Sequence, residues 1–261
     1  MKNFSKLYLL PFDHRSSFEK LVDKEKIPEA KMIIYEAFLQ IRENYPHPEF
    51  LGILVDNTYG RMILDDAQTK GITRAVCIEK SGQPLFDFDQ ENWMEILDEI
   101  KPEIIKVLVR YNPEEKENNS IQLEKLAKVF DYCQSKNLPL LFELLTGEAG
   151  KTATAIKEIK QKLQPAIWKL EGVEAGQWEE ILAVTQEDKI IVLGRGENAD
   201  KVKQWIMEAK KYPQIIGFAI GRTVFLEPIQ KWVNGELNHN QARDQISQNY
   251  QSWIKLWEEI N

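Results

Sequence analysis

Cysteine is scarce in this chain: among 261 residues only Cys77 and Cys133 occur. Two thiols cannot build a disulfide framework or a cysteine zinc site, and they read as buried apolar residues of a reducing, cytoplasmic setting. Histidine is nearly as rare. His14, His47 and His239 would all have to converge to form a three-histidine zinc centre, and their wide separation argues against it. No apolar run approaches the roughly 18 residues of a membrane span. The first run, Leu7–Phe12, stops at Asp13-His14-Arg15, so it reads as a strand and not as a signal peptide. Basic side chains are outnumbered 34 to 41, for a net charge of -7. Such a surface excludes a general nucleic-acid binder and a polybasic membrane anchor, although a small basic pocket remains compatible with it. What is present is ordinary for a globular chain: 43% hydrophobic, 29% charged and 10% aromatic residues.

Eight short apolar runs recur along the sequence: Leu7–Phe12, Leu51–Val55, Arg74–Ile78, Ile104–Val109, Pro139–Leu144, Ala166–Leu170, Lys189–Leu193 and Ile215–Ile220. Most are rich in Ile, Leu and Val without strict alternation, the pattern of parallel strands buried on both faces. Helical stripes lie between them. Examples are Met32, Tyr35, Phe38, Leu39 and Ile41; Leu123, Leu126, Val129, Phe130 and Cys133; Ala153, Ile156, Ile159 and Leu163; and Val202, Trp205, Ile206 and Ala209. Eight strand–helix units in about 250 residues predict a single α/β domain over 1–261, a (β/α)8 TIM barrel. A doubly wound open sheet would want a glycine-rich phosphate turn after an early strand, and none is there. From Gln241 onward, Ala242, Ile246, Tyr250, Trp253 and Trp257 share a face, which predicts an extra C-terminal helix that caps the barrel or contacts another copy. Asn112–Ser120 reads as a solvated loop.

Active sites of such barrels sit at the C-terminal strand ends, and here all eight ends carry polar residues. Lys169 and Glu171 lie two apart on the sixth strand and so share a face. A lysine inside the barrel is costly unless paired or neutral, and a neutral lysine is a nucleophile for carbonyl carbon. A structural ion pair with Glu171 or Glu143 is the plainer reading. Lys106, Leu108 and Arg110 share a face of the fourth strand, which can bring Lys106 beside Lys169. Gly-Arg pairs follow the seventh and eighth strands, within Gly194-Arg195-Gly196 and Gly221-Arg222-Thr223. Glycine lets backbone amides approach an oxyanion and arginine grips phosphate with two prongs, so these loops predict a phosphate site. Asp13, Asp56 and Glu79 are the predicted acid–base or hydroxyl-binding groups, His14 a proton shuttle, and Arg15, Arg110 and Glu143 further substrate-binding residues.

The segments PFDHRSSF at 11–18, ILVDNTYG at 53–60, EKSGQPLFDF at 79–88, KVLVRYNP at 106–113, LFELL at 141–145, WKLEG at 168–172, VLGRGE at 192–197 and GFAIGRTVF at 217–225 carry a resemblance. The chain resembles the bacterial domain fused C-terminal to 5-dehydro-2-deoxygluconokinase in inositol catabolism. That domain is similar to tagatose-1,6-bisphosphate aldolase and other class I aldolases. The resemblance implies a Schiff-base lysine at Lys169, sugar-phosphate binding through Arg195 and Arg222, and no metal or cofactor. The implied reaction cleaves 6-phospho-5-dehydro-2-deoxygluconate to dihydroxyacetone phosphate and malonate semialdehyde. Asn57 and the turn Thr146-Gly147-Glu148 depart from the expected pattern. Two other functions fit the same residues: a barrel lyase with Mg²⁺ on Asp13, Asp56, Glu79 and Glu143, and a non-catalytic sugar-phosphate sensor.

Overall fold

The computed structural model describes residues 3–174 and 176–259. Eight strands form: β1 Leu7–Pro11, β2 Leu51–Val55, β3 Thr73–Cys77, β4 Ile104–Arg110, β5 Leu140–Leu145, β6 Ile167–Glu171, β7 Lys189–Leu193 and β8 Ile215–Ala219. Each pairs in parallel with its sequence neighbours, and β8 pairs with β1, so the sheet closes into a barrel. Both ends of every expected strand agree with these to within one residue. Among the described residues, ten α-helices lie between or after the strands: α1 Ser16–Leu21, α2 Ile27–Asn44, α3 Asn57–Thr69, α4 Trp93–Ile100, α5 Lys116–Lys136, α6 Thr152–Ile159, α7 Gln177–Thr185, α8 Ala199–Ala209, α9 Arg222–Val233 and α10 His239–Glu259.

Strand pleating sorts the side chains into two cores. Tyr8, Leu10, Phe142, Trp168 and Phe218 face outward and pack beneath the helices. Leu7, Leu9, Leu54, Ala75, Ile104, Leu141, Ile167 and Ile191 face inward and fill the N-terminal part of the lumen, with Phe4 against them. The same inward alternation, continued toward the C-terminal ends, runs from Ile104 to Lys106, from Leu141 to Glu143 and from Ile167 to Lys169. An apolar floor therefore sits under a charged layer. Among the described residues, no helix is long and apolar enough to cross a membrane.

The predicted loop at Asn112–Ser120 needs correction, because α5 begins at Lys116. Asn119 is buried, donates to the Asn112 carbonyl at 2.7 Å and accepts from Gln122 Nε2 at 3.1 Å. A segment rich in charge and amide groups is thereby drawn into a helix by side-chain hydrogen bonds that its composition does not reveal. The C-terminal helix is resolved between its two expected roles. Its stripe, Ala242, Ile246, Tyr250, Trp253 and Trp257, is buried within the chain, with α10 packed on α2 and α9. Each fully buried large side chain there contributes about 1.5–3 kcal/mol. Tyr250 Oη donates to the Tyr8 carbonyl at 2.8 Å, which fastens α10 to β1.

One ion pair is fully enclosed outside the lumen. Lys31 of α2 bonds the Asp56 carboxylate and donates to the Phe12 carbonyl at 2.8 Å, and neither side chain is exposed at all. The other Asp56 oxygen caps α3 by accepting from the Tyr59 N–H at 2.8 Å. Removing one partner of such a pair strands a buried charge. Lys31→Met should destabilise the fold by about 3–5 kcal/mol. Lys31→Met with Asp56→Asn, which keeps the helix cap, should recover much of that loss. Urea unfolding of both variants checks this, and an equal loss in both would show that the stranded charge is not the cause.

Candidate active site

A cavity of about 800 Å³ opens at the C-terminal mouth of the barrel. Its floor is an ammonium surrounded by acids. Lys106 Nζ lies 2.9 Å from Asp13 Oδ2, 2.5 Å from Glu79 Oε1 and 2.9 Å from Glu143 Oε2. The Lys106 ammonium donates to Asp13 and Glu79 and is ion-paired with Glu143, so three carboxylates face its three N–H groups. Burial would lower its pKa, but the Asp13, Glu143 and Glu79 carboxylates outweigh burial and hold it well above the ordinary lysine value. Lys106 is a fixed cation inside the barrel and does not snorkel to the surface.

Lys169, on β6, is 5% exposed and meets the same oxygen from the other side: its Nζ lies 2.9 Å from Glu143 Oε2. Strand register explains the meeting, since Glu143 is level with Lys169 across β5 and β6 and with Leu108 across β4 and β5. The other expected partner of Lys169 lies elsewhere. Glu171 is bonded to Arg195 and does not line the cavity. The turn after β7 swings the Arg195 guanidinium over the end of β6, and Arg195 itself adopts φ +49° to do so.

The acids around Lys106 are not equivalent. Burial raises the Asp13 carboxyl, but Lys106, His14 and Lys169 outweigh that and hold it well below the carboxylate range. Glu143 is likewise lowered, because Lys106 and Lys169 overcome its burial. Glu79 goes the other way. Burial dominates there, its pKa is raised, and its Oε2 has no hydrogen-bond partner among the described residues. His14 lines the cavity, its Nδ1 4.0 Å from Asp13 Oδ1, and burial lowers its pKa to about 4. It is neutral at physiological pH.

Arg15 lines the cavity as expected but is engaged in holding loops together. Its guanidinium pairs with Asp89 at 2.7 Å and bonds the Glu79 carbonyl. It therefore ties the segment after β1 to the segment after β3. Asp56, expected to meet substrate, is turned out of the cavity to Lys31 and the α3 N-terminus. Of the four ligands expected for Mg²⁺, Asp13, Glu79 and Glu143 thus surround the Lys106 ammonium and Asp56 does not join them. The Gly-Arg turns do come together. Arg222 donates to the Arg195 carbonyl, and its guanidinium lies so flat on Gly196 that a Cβ there would sit 2.3 Å from Arg222 Cζ. Gly221 passes the Pro11 carbonyl so closely that a Cβ would lie 2.1 Å from that oxygen. Gly221 is the N-cap residue of α9, and its carbonyl accepts from the Val224 N–H at 2.7 Å and the Phe225 N–H at 3.1 Å.

Four contributors were not singled out in the sequence: Lys31, Asp89, Asn119 and Gln122. Gln122 is fully buried, donates to the Arg110 carbonyl at 2.9 Å and accepts from the Phe86 N–H at 3.2 Å. Lys31 and Gln122 did carry a signal. Each is a polar residue at a core position of a helical stripe, Lys31 four after Ile27 and Gln122 four before Leu126.

A family model described as "Uncharacterized protein conserved in bacteria (DUF2090)" matches residues 1–261. The chain belongs to that family. No curated protein matches its sequence. Solved structures share the fold at low identity. Cgl0159 from Corynebacterium glutamicum is 16% identical with a TM-score of 0.64, covering 97% of this chain and 88% of that one. An archaeal fructose 1,6-bisphosphate aldolase is 14% identical with a TM-score of 0.64, covering 98% and 94%. A further archaeal fructose-1,6-bisphosphate aldolase structure has its catalytic Lys covalently bound to the carbinolamine intermediate of the substrate. It is 13% identical with a TM-score of 0.63, covering 97% and 94%. These likenesses establish the barrel for this DUF2090 member.

His14 gives a pH test of the site. Its folded pKa of about 4 lies below the ordinary 6.5. Between those values the unfolded chain holds the proton and the folded chain does not, so stability falls as pH drops from 6.5 to 4. His14→Gln should flatten that loss by at most one proton, at most about 1.4 kcal/mol per pH unit. Denaturant titrations at pH 7, 6 and 5 measure the slope. An unchanged slope would mean that His14 titrates normally.

Proposed function

We propose that the protein is a class I aldolase, a carbon–carbon lyase that cleaves a ketose phosphate through a Schiff base on Lys169. One observation carries the reading: two buried lysines share Glu143 Oε2, and Lys106 is paired with three carboxylates whereas Lys169 is paired with Glu143. Lys106 serves three carboxylates and stays a cation. Lys169 has the single carboxylate Glu143, which stands 2.9 Å away as a proton acceptor. The deprotonated amine adds to the substrate ketone carbon, and loss of water leaves an iminium. The iminium takes up the electron pair of the breaking carbon–carbon bond while a carboxylate takes the proton of the cleaved hydroxyl. An aldehyde departs, and the enamine that remains is protonated and hydrolysed back to Lys169. Glu143 and Glu79 are the carboxylates for these transfers, Glu79 because its Oε2 is free to accept a proton. Asp13 holds Lys106 in place.

Arg222, the Gly196 turn and the α9 N-terminus supply the phosphate grip, so a chain of net charge -7 presents a local positive site. The archaeal aldolase with a carbinolamine on its catalytic Lys supports the reading by likeness of fold. The substrate we favour comes from the resemblance of the quoted segments to the kinase-fused domain of inositol catabolism and to tagatose-1,6-bisphosphate aldolase. It is 6-phospho-5-dehydro-2-deoxygluconate, cleaved to dihydroxyacetone phosphate and malonate semialdehyde, with the cytoplasm as the place of action.

Borohydride reduction in the presence of dihydroxyacetone phosphate should fix an adduct on the peptide containing Trp168-Lys169-Leu170. Lys169→Arg should trap nothing and lose turnover, since arginine stays protonated. An adduct on the Lys106 peptide, or turnover that survives Lys169→Arg, would overturn the assignment. For the phosphate grip, Arg222→Ala should weaken phosphorylated ligands by about 1.5–3 kcal/mol, the scale of a charge-assisted hydrogen bond. Equal weakening of an unphosphorylated analogue in a binding titration would remove Arg222 from that role.

A further inference from the structure

His14 follows Asp13 just past β1 and lines the cavity, yet it has no task in the proposed reaction. Its ring is held in place. Phe225 of α9 meets it edge-on, with ring centroids 6.1 Å apart, and the buried Phe225 is itself stacked on Phe18 at 5.5 Å. Phe225 comes one helical turn after Arg222, so the imidazole packs beside the start of α9. Nδ1 is enclosed 4.0 Å from Asp13 Oδ1 and has no hydrogen-bond partner among the described residues. The side chain as a whole is 30% exposed, and Nε2, which is not enclosed, lies on its open edge.

These surroundings select one tautomer. A neutral imidazole has one N–H and one lone pair. A lone pair on Nδ1 would confront the Asp13 carboxylate, whose other oxygen accepts from Lys106 at 2.9 Å. The proton therefore belongs on Nδ1, and Nε2 presents its lone pair to the cavity. Such a nitrogen accepts a hydrogen bond and cannot grip a phosphate dianion, which has only lone pairs of its own. Its position is also set. Burial is the first cause of its low pKa and, against the pull of Asp13, the charges of Lys169 and Arg222 lower it further, so the ring lies in the field of both. Asp13 is linked to Lys169 through Lys106 and Glu143.

We propose that His14 is a specificity-determining residue whose Nε2 accepts a hydrogen bond from the free hydroxyl beside the substrate ketone. This rests on the aldolase reading, which places the ketone at Lys169 and the phosphate at Arg222. The three-carbon half of the substrate that carries both groups has one further polar group, a hydroxyl, and a hydroxyl can donate. Asp13, Glu79 and Glu143 are turned to Lys106, so the acceptor available near both Lys169 and Arg222 is the imidazole. A site with an enclosed acceptor for a hydroxyl rejects the analogue that lacks it, because the acceptor is then left unpaired. Lys106 supports this recognition from a distance: its cation favours the ionised Asp13, and Asp13 orients the ring.

Two ketones separate the hydroxyl from the rest of the ligand. In calorimetric titrations, the unaltered protein should bind dihydroxyacetone phosphate about tenfold more tightly than hydroxyacetone phosphate, which has a methyl in place of the hydroxymethyl group. His14→Phe, which keeps an aromatic ring against Phe225, should erase that preference by weakening dihydroxyacetone phosphate alone. His14→Gln should restore part of it, because the amide oxygen can accept. Circular dichroism melting verifies that both variants fold. Nitrogen-15 spectra of the unaltered protein, with His47 and His239 assigned by substitution, give a readout that needs no change at His14. They should show the His14 proton on Nδ1, and dihydroxyacetone phosphate should shift Nε2 more than hydroxyacetone phosphate does. No preference in the unaltered protein, a preference that survives His14→Phe, or a proton on Nε2 overturns the role. If borohydride traps neither ketone on Lys169 while the preference depends on His14, the Schiff-base reading fails and the hydroxyl site stands. If the Lys169 adduct forms and the preference is absent or independent of His14, the reverse holds.

Discussion

The charge of Lys106 governs this molecule. A lone ammonium in the lumen of a barrel would be expelled or would lose its proton, because the low-dielectric interior offers it nothing like water. Three acids, from the β1 end, the β3 end and the middle of β5, make it permanent. Its charge in turn favours the ionised form of each of them. Each strand that supplies one is constrained in register by the others, since a one-residue slip would turn an acid into the outer apolar layer. The polar floor thus specifies the barrel's alignment as well as its chemistry, and it leaves Lys169 as the less constrained of the two buried amines.

Around that floor the mouth is held by a series of ties between strand ends. Arg15 binds the segment after β1 to the segment after β3. Lys31 joins the β1 end to Asp56 at the β2 end, and Gln122 joins the β4 end to the β3–α4 segment. Glu171 and Arg195 join β6 to the turn after β7, and Arg222 joins that turn to α9. These ties fix side chains that touch the cavity without presenting reactive groups of their own. Such support is what keeps a site built on loops from drifting by the ångström that separates productive from idle geometry.

The strands were legible because buried parallel strands are simple: short, branched and apolar, with polar residues where they end. Pleat parity then brought Lys106, Glu143 and Lys169 to the lumen from spacing alone. What the sequence could not express was direction past the last strand residue. Glu171 has the same parity as Lys169, yet the turn carrying Arg195 claims it. Asp56 stands at a strand end like Asp13, yet it turns outward because Lys31 and an uncapped helix await it there. The start of α5 was hidden for a related reason, as amide side chains that bond one another look the same in a sequence as amides that bond water. Lys31 and Gln122 were visible as polar interruptions of apolar stripes, and such an interruption marks a group whose partner is already enclosed.

The fastening of α10 to β1 has a consequence for how the chain comes into being. β1 is made before its partner β8, and the Tyr8 carbonyl waits for a hydroxyl supplied by Tyr250. Until β8 and α10 have been synthesised, β1 is an open edge and the outer wall beside it is bare. While β1 to β7 are elongating, the barrel is an unclosed sheet. Its exposure to chaperones and to edge-to-edge misassociation ends only when β8 pairs and α10 docks.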